Sequence, residues 1–162
     1  MRVSDRSRYE TYFQCPRKRY WSHEHKGRGI TGEGIKVDLL YGTGIHAGMD
    51  EIIRTGNLDE AINHLRLALD PITETTPDGY DTKDELLAMG TGHLSIFYYF
   101  VLPSVKEKYS IISTEMEIVI EISDWLTWMT RIDGSLERKL KGELPFVWEY
   151  KTSGYEEDLI KQ

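Results

Sequence analysis

The spacing of the apolar residues changes once along this chain, and that change restricts the fold more than any other feature. Up to residue 108 apolar side chains recur at helical intervals. From Ile111 to Ile122 β-branched residues alternate with acidic ones, Met116, Ile118 and Ile120 opposing Glu115, Glu117 and Glu121. The first part reads as helices. Residues 6–22 carry Tyr9, Tyr12, Phe13 and Tyr20 on a common side, with Pro16 interrupting the pattern. Glycine-rich 26–36 reads as a loop. Helices are expected over 43–55 and 58–69, the second preceded by Asn57 and ending before Pro71. Residues 71–82 form a connection. A long helix is expected over 83–108, capped by Asp81 or Thr82, with Pro103 as a kink or break.

After Ile111–Ile122, two more strands are expected, Leu126–Leu136 and Pro145–Thr152. Helices first and a three-stranded meander afterwards give an α+β architecture, here a single domain over 1–162. Tyr155 to Gln162 reads as the start of another helix that stops. A sheet ending at 152 has little to cover its second face, so we expect a C-terminal part to be missing from this chain.

Composition excludes some classes. The chain has 162 residues, 40% hydrophobic and 29% charged, as expected of one domain with a sizeable core. No apolar run approaches membrane-spanning length, and the longest is Ile96–Leu102. The start, Met1 to Arg6, lacks the apolar stretch of a secretory signal. The single cysteine, Cys15, rules out an internal disulfide and points to a reducing, cytoplasmic compartment. The net charge of −7 is unevenly spread: residues 1–36 hold nine Lys/Arg and four Asp/Glu, the remainder eleven and twenty-three. A basic N-terminal part suits a phosphate backbone, and acidic clusters suit a divalent metal; a solvated mixed-charge surface accounts for the same numbers.

The run Val147–Thr152 carries the chemistry. In a strand Glu149 and Lys151 point the same way, so a carboxylate and an ammonium stand side by side. Asp133, sixteen positions before Glu149, ends a second strand-like run and can supply another carboxylate. Two converging carboxylates hold Mg²⁺, and a lysine beside them orients or deprotonates a water, which is the machinery of phosphodiester hydrolysis. The plain alternative is a surface ion pair, weighed against apolar neighbours (Phe146, Val147, Trp148, Met129, Ile132) that make unpaired charge costly. Gly134 after Asp133 lets another backbone come close. His46 lies between Gly44 and Gly48, a small-residue groove where a strand can pack, and an imidazole delivered there suits Mn²⁺ better than Mg²⁺. Glu115 and Glu117 share one strand face and compete as a further acidic group. Arg17, Lys18, Arg19 and Tyr20 can grip a nucleic-acid strand by phosphate contacts and stacking; the alternative is the wet side of an amphipathic helix.

Together these segments resemble the PD-(D/E)XK nuclease superfamily and, within it, the RecB-type exonuclease branch. The matching pieces are Cys15-Pro16-Arg17-Lys18-Arg19-Tyr20-Trp21 after a Ser-containing helix, Gly42 with His46, a strand glutamate at Glu115 or Glu117, Arg131-Ile132-Asp133-Gly134, and Glu149-Tyr150-Lys151-Thr152. The resemblance implies a restriction-endonuclease-like core, in which helices lead into a mixed sheet. It implies metal held by Asp133, Glu149 and the Tyr150 carbonyl with His46 assisting, and Lys151 positioning the attacking water. It further implies a Mg²⁺- or Mn²⁺-dependent deoxyribonuclease, an exonuclease serving DNA repair, recombination or phage DNA processing, alone or with a helicase or recombination partner. The alternative is a nucleic-acid-binding module of the same fold without turnover. The family's Gln-x-x-x-Tyr helix would begin at Gln162. Some relatives bind an iron–sulfur cluster through four cysteines, of which only Cys15 has a counterpart, so no cluster is expected in this chain.

Overall fold

Three helices form the core because small residues on two of them receive a leucine from the third. The structure, a computed structural model, describes residues 2–25, 29, 36–72, 82–139 and 144–150. Helix α3 (Val37–Thr55) buries Val37, Tyr41, Gly44, Ile45, Gly48 and Ile52 along one stripe. Leu65 of α4 (Leu58–Ala68) is fully buried against it: a Cβ on Gly44 would lie 2.8 Å from the Leu65 Cδ1. The other Leu65 methyl occupies the place of a Cβ on Gly90 of α5 (Lys83–Ile96). The glycines of α3 therefore face helices, where the sequence suggested a strand. Helix α3 also starts six residues earlier than the expected 43; glycine at 42, 44 and 48 lowers helix propensity, and tertiary contact overrides it.

Helix ends follow local chemistry. Gly56 takes φ 73 and donates its N–H to Ile52 O, closing α3. The Asn57 side chain accepts from Glu60 N at 3.1 Å, opening α4 as expected. Thr82 and Glu85 form a reciprocal capping box at the start of α5, with Thr82 N donating to Glu85 Oε2 at 2.7 Å.

At the expected kink or break near Pro103 the helix continues, but not as a regular α-helix. A π-helical turn, Phe97–Val101, joins α5 to α6 (Leu102–Lys108). Proline lacks an N–H and its ring collides with the carbonyl four residues earlier in an α-helix; the wider turn relieves both demands. It also spaces buried Phe97 and Leu102 five residues apart, so both face the core. Among the described residues, Lys83–Lys108 is the one helix long and apolar enough to cross a membrane. Its Leu86, Leu94, Phe97 and Leu102 belong to the same buried cluster as residues of α3 and α4.

The remainder is a mixed sheet, and the architecture is α+β. Strands β2 (Tyr109–Ser123) and β3 (Leu126–Arg138) are neighbours joined at Asp124–Trp125, a link only an antiparallel pair permits. Strand β4 (Phe146–Trp148) runs antiparallel to β3 with Gly134 opposite Trp148 and Leu136 opposite Phe146, completing the expected meander. A short strand β1 (Arg2–Ser4), absent from the sequence reading, lies parallel to β3 with Val3 opposite Thr127. Three residues are too few for a period to register. Strand β4 is shorter than expected. Most of loop 26–36 and of connection 71–82, together with Lys151, Thr152 and the tail 155–162, lies outside the described residues.

The chain divides into two compact units, residues 1–34 with 116–132, and 35–115 with 133–162. In the first, Asp5 caps helix α1 (Arg6–Gln14), accepting from Arg8 N at 2.9 Å, and Pro16 opens a second short helix, α2 (Pro16–Arg19). Neither helix buries a residue; Tyr9, Tyr12 and Phe13 are exposed and touch one another ring to ring. The second unit contains the helical core and the residues described next.

Candidate metal centre

Positions 44 and 48 of α3 face α4 and α5, and His46, two residues on, projects almost from the opposite side of the helix. There its Nδ1 lies 3.2 Å from Asp133 Oδ1 and 4.0 Å from Glu115 Oε1. One ligand atom from each of the three residues lies within 4.8 Å of the others. The Asp133 side chain is only 14% exposed, and its second oxygen accepts the Tyr150 N–H at 2.6 Å. That bond leaves Oδ1 turned toward His46. Residues from α3, β2 and β3 thus converge on one point.

Glu115 reaches this point through an unusual backbone. Its φ is 47, the only positive value among the described non-glycine residues. In mid-strand this breaks the alternation of faces and costs about 1–3 kcal/mol. It also corrects the expectation that Glu115 and Glu117 share a face: Glu115 is half-buried in the cluster, whereas Glu117 is exposed. Gly134 needs no special approach, since a Cβ there would meet Ser113 O at an ordinary 3.5 Å.

Tyr150 walls the cluster. Its ring stands edge-on to His46 at 5.6 Å and packs against Phe97 and Trp148 at 5.9 and 4.8 Å. Burial pushes its hydroxyl well above the ordinary tyrosine range, and the charges of Asp133, Asp50 and Glu115 add to the shift. Among the described residues its buried Oη has no hydrogen-bond partner.

The donor set fits a small divalent cation. Neighbouring ligands around an octahedral ion with bonds of about 2.1 Å are about 3 Å apart and opposite ones about 4 Å. The two separations from His46, 3.2 and 4.0 Å, lie in that range. Two carboxylates and an imidazole favour Mn²⁺ over Ca²⁺.

The other expected site residues are arranged differently. The β3–β4 register brings Glu149 level with Asp133 at the ladder's next position, but Glu149 is exposed and stands outside the group of mutually close ligand atoms. Lys151 lies outside the described residues. In the first unit Arg17, Lys18 and Tyr20 are exposed, with Lys18 Nζ donating to Gln14 Oε1 at 3.1 Å. Arg19 is half-buried, paired with Glu24 at 2.8 Å and set 5.8 Å from the Tyr12 ring centre. Cys15 is exposed, against the usual burial of a lone cysteine. Outside the cluster, His93 Nδ1 meets the Tyr41 hydroxyl at 2.8 Å and His64 approaches Glu51 at 3.8 Å. Asp50, four residues after His46 on α3, lies on the same helix face.

No family model matches this chain, and neither a curated protein nor a solved structure is similar to it.

Proposed function

We propose that this chain is a Mg²⁺- or Mn²⁺-dependent deoxyribonuclease with a restriction-endonuclease-like core, an exonuclease that hydrolyses DNA phosphodiester bonds. The observation that carries this reading is the convergence of His46, Glu115 and Asp133, distant in sequence, with His46 Nδ1 3.2 Å from Asp133 Oδ1. Two carboxylates and an imidazole are a donor set for a divalent cation. Asp133, Glu115 and His46 would hold the ion. The Tyr150 N–H keeps Asp133 in the orientation needed for this, and buried Tyr150 with half-buried Trp148 excludes bulk water from one side. A bound divalent ion supplies charge neutralisation on the scissile phosphate and lowers the pKa of a water. Glu149, on the exposed rim, is assigned to the substrate side of the ion, and Lys151 to orienting the attacking water and taking its proton. Exposed Arg17, Lys18 and Tyr20 are assigned to the DNA strand. A reducing cytoplasmic setting and a helicase or recombination partner accord with this role.

A second reading, a nucleic-acid-binding module without turnover, is favoured by the position of Glu149 outside the cluster. End-labelled single- and double-stranded DNA, incubated with the chain over a Mg²⁺ or Mn²⁺ titration, separates the two. Metal-dependent products that vanish in Asp133→Ala support the nuclease. Binding without products supports the module.

A further inference from the structure

Tyr150 has a buried hydroxyl with nothing described to bond to, in a protein interior where such groups are ordinarily paired. The ring is 9% exposed. Phe97 and Trp148 take up two of its sides and offer the oxygen no partner; the third aromatic neighbour is His46, edge-on at 5.6 Å. One of its ring neighbours, His46, belongs to the metal cluster, and the Tyr150 N–H donates to Asp133, a second member. Asp50 belongs to the same surroundings. It lies one helical turn beyond His46 on α3, half-buried, and its charge acts on the Tyr150 hydroxyl together with those of Asp133 and Glu115.

Three protein ligands leave a small hexacoordinate cation with water in its other positions, and Mg²⁺ in particular keeps several. Those waters are strong donors and need acceptors where bulk solvent is excluded. A carboxylate and a hydroxyl beside the cluster provide them. We propose that Asp50 and the Tyr150 hydroxyl together anchor water ligands of a divalent cation seated on His46, Glu115 and Asp133. This rests on the metal-binding part of the function proposed above and assigns two residues to the cation's outer sphere. The hydroxyl accepts a hydrogen bond from one such water. Asp50 accepts from the same shell. Both are positioning residues, since neither needs to touch the ion.

The experiment is a Mn²⁺ titration of the full chain, read by the paramagnetic signal of free Mn²⁺ and by calorimetry, with thermal melting of each metal-free variant alongside. Wild type is expected to bind one ion and Asp133→Ala to lose it. Tyr150→Phe and Asp50→Asn are each expected to weaken binding about tenfold or more, as loss of outer-sphere partners does, with the metal-free melting temperature near that of wild type. Should Asp50→Asn fail to fold, Asp50→Ser takes its place. Mn²⁺ affinity within about twofold of wild type in both variants would overturn the proposal; so would undiminished binding in Asp133→Ala. Weakened Mn²⁺ binding in the two variants, in a protein that cleaves no DNA, would leave the outer-sphere assignment standing and remove the nuclease.

Discussion

Both halves of the β2–β3 ribbon carry acidic residues, in different surroundings. Near Asp133 the ribbon belongs to the helical unit: Gly134 and Leu136 are buried, and Glu115 and Asp133 are half-buried beside His46. At the other end, in the N-terminal unit, Met116, Val119, Ile120, Ile122 and Trp125 are all more than a third exposed. Acidic residues stand in both places, Glu115 and Asp133 in one, Glu117 and Glu121 in the other. What differs is cover. Where helices remove water, an acidic side chain becomes a costly group that needs a partner, and the backbone is bent at Glu115 to bring one in. On the exposed part, Glu117 and Glu121 stay solvated.

Substitutions test that contrast. The largest effect is expected at the covered end: Asp133→Ala should lower metal-dependent DNA cleavage by about 10²–10³-fold or more, measured with end-labelled substrate at saturating Mn²⁺. Ile120→Ser at the uncovered end should leave the melting temperature nearly unchanged, within about 0.5 kcal/mol by denaturant unfolding. Next comes the cover itself. Leu65→Ala removes a side chain that fills the hollow at Gly44 and Gly90, and should cost about 2–5 kcal/mol in the same unfolding experiment.

A subtler effect is expected at Glu115. Glu115→Gly relieves the positive φ while deleting the carboxylate. The metal-free protein should gain up to about 1 kcal/mol, the strain relieved exceeding glycine's entropic cost, and should lose Mn²⁺ affinity. A loss of metal-free stability would mean the backbone there is not held against its preference. The smallest effect concerns Glu51, buried on α3 and bonded to Arg54. The Arg54 hydrogen bond, and then that of Thr55, hold its carboxyl below the ordinary glutamate range. Its folded pKa being depressed, it contributes stability above the unfolded value, and that contribution is lost as pH falls through the folded value. Acid melting curves should converge for wild type and Glu51→Gln at low pH and separate near neutrality, with wild type the more stable.

Much of this was legible in the sequence. Asn57, Thr82 and the β-branched alternation placed α4, α5 and β2 because caps and period are local signals. His46 and Asp133 stood out because their neighbours are small or apolar. Other features depend on distant contact. The early start of α3 needs Leu65 to reward its glycines. The π turn before Pro103 needs a core that keeps Phe97 and Leu102 on one side. The choice of Glu115 over Glu117 needs a φ that no residue type announces.

The central claim is that His46, Glu115 and Asp133 ligate one divalent ion. Pulsed electron paramagnetic resonance of the Mn²⁺-loaded chain reads it directly, because a coordinated imidazole couples its nitrogen to the manganese. The expected result is a single saturable site with nitrogen coupling that disappears in His46→Ala and binding that disappears in Asp133→Ala. Saturable Mn²⁺ without nitrogen coupling, or coupling that survives His46→Ala, would contradict it.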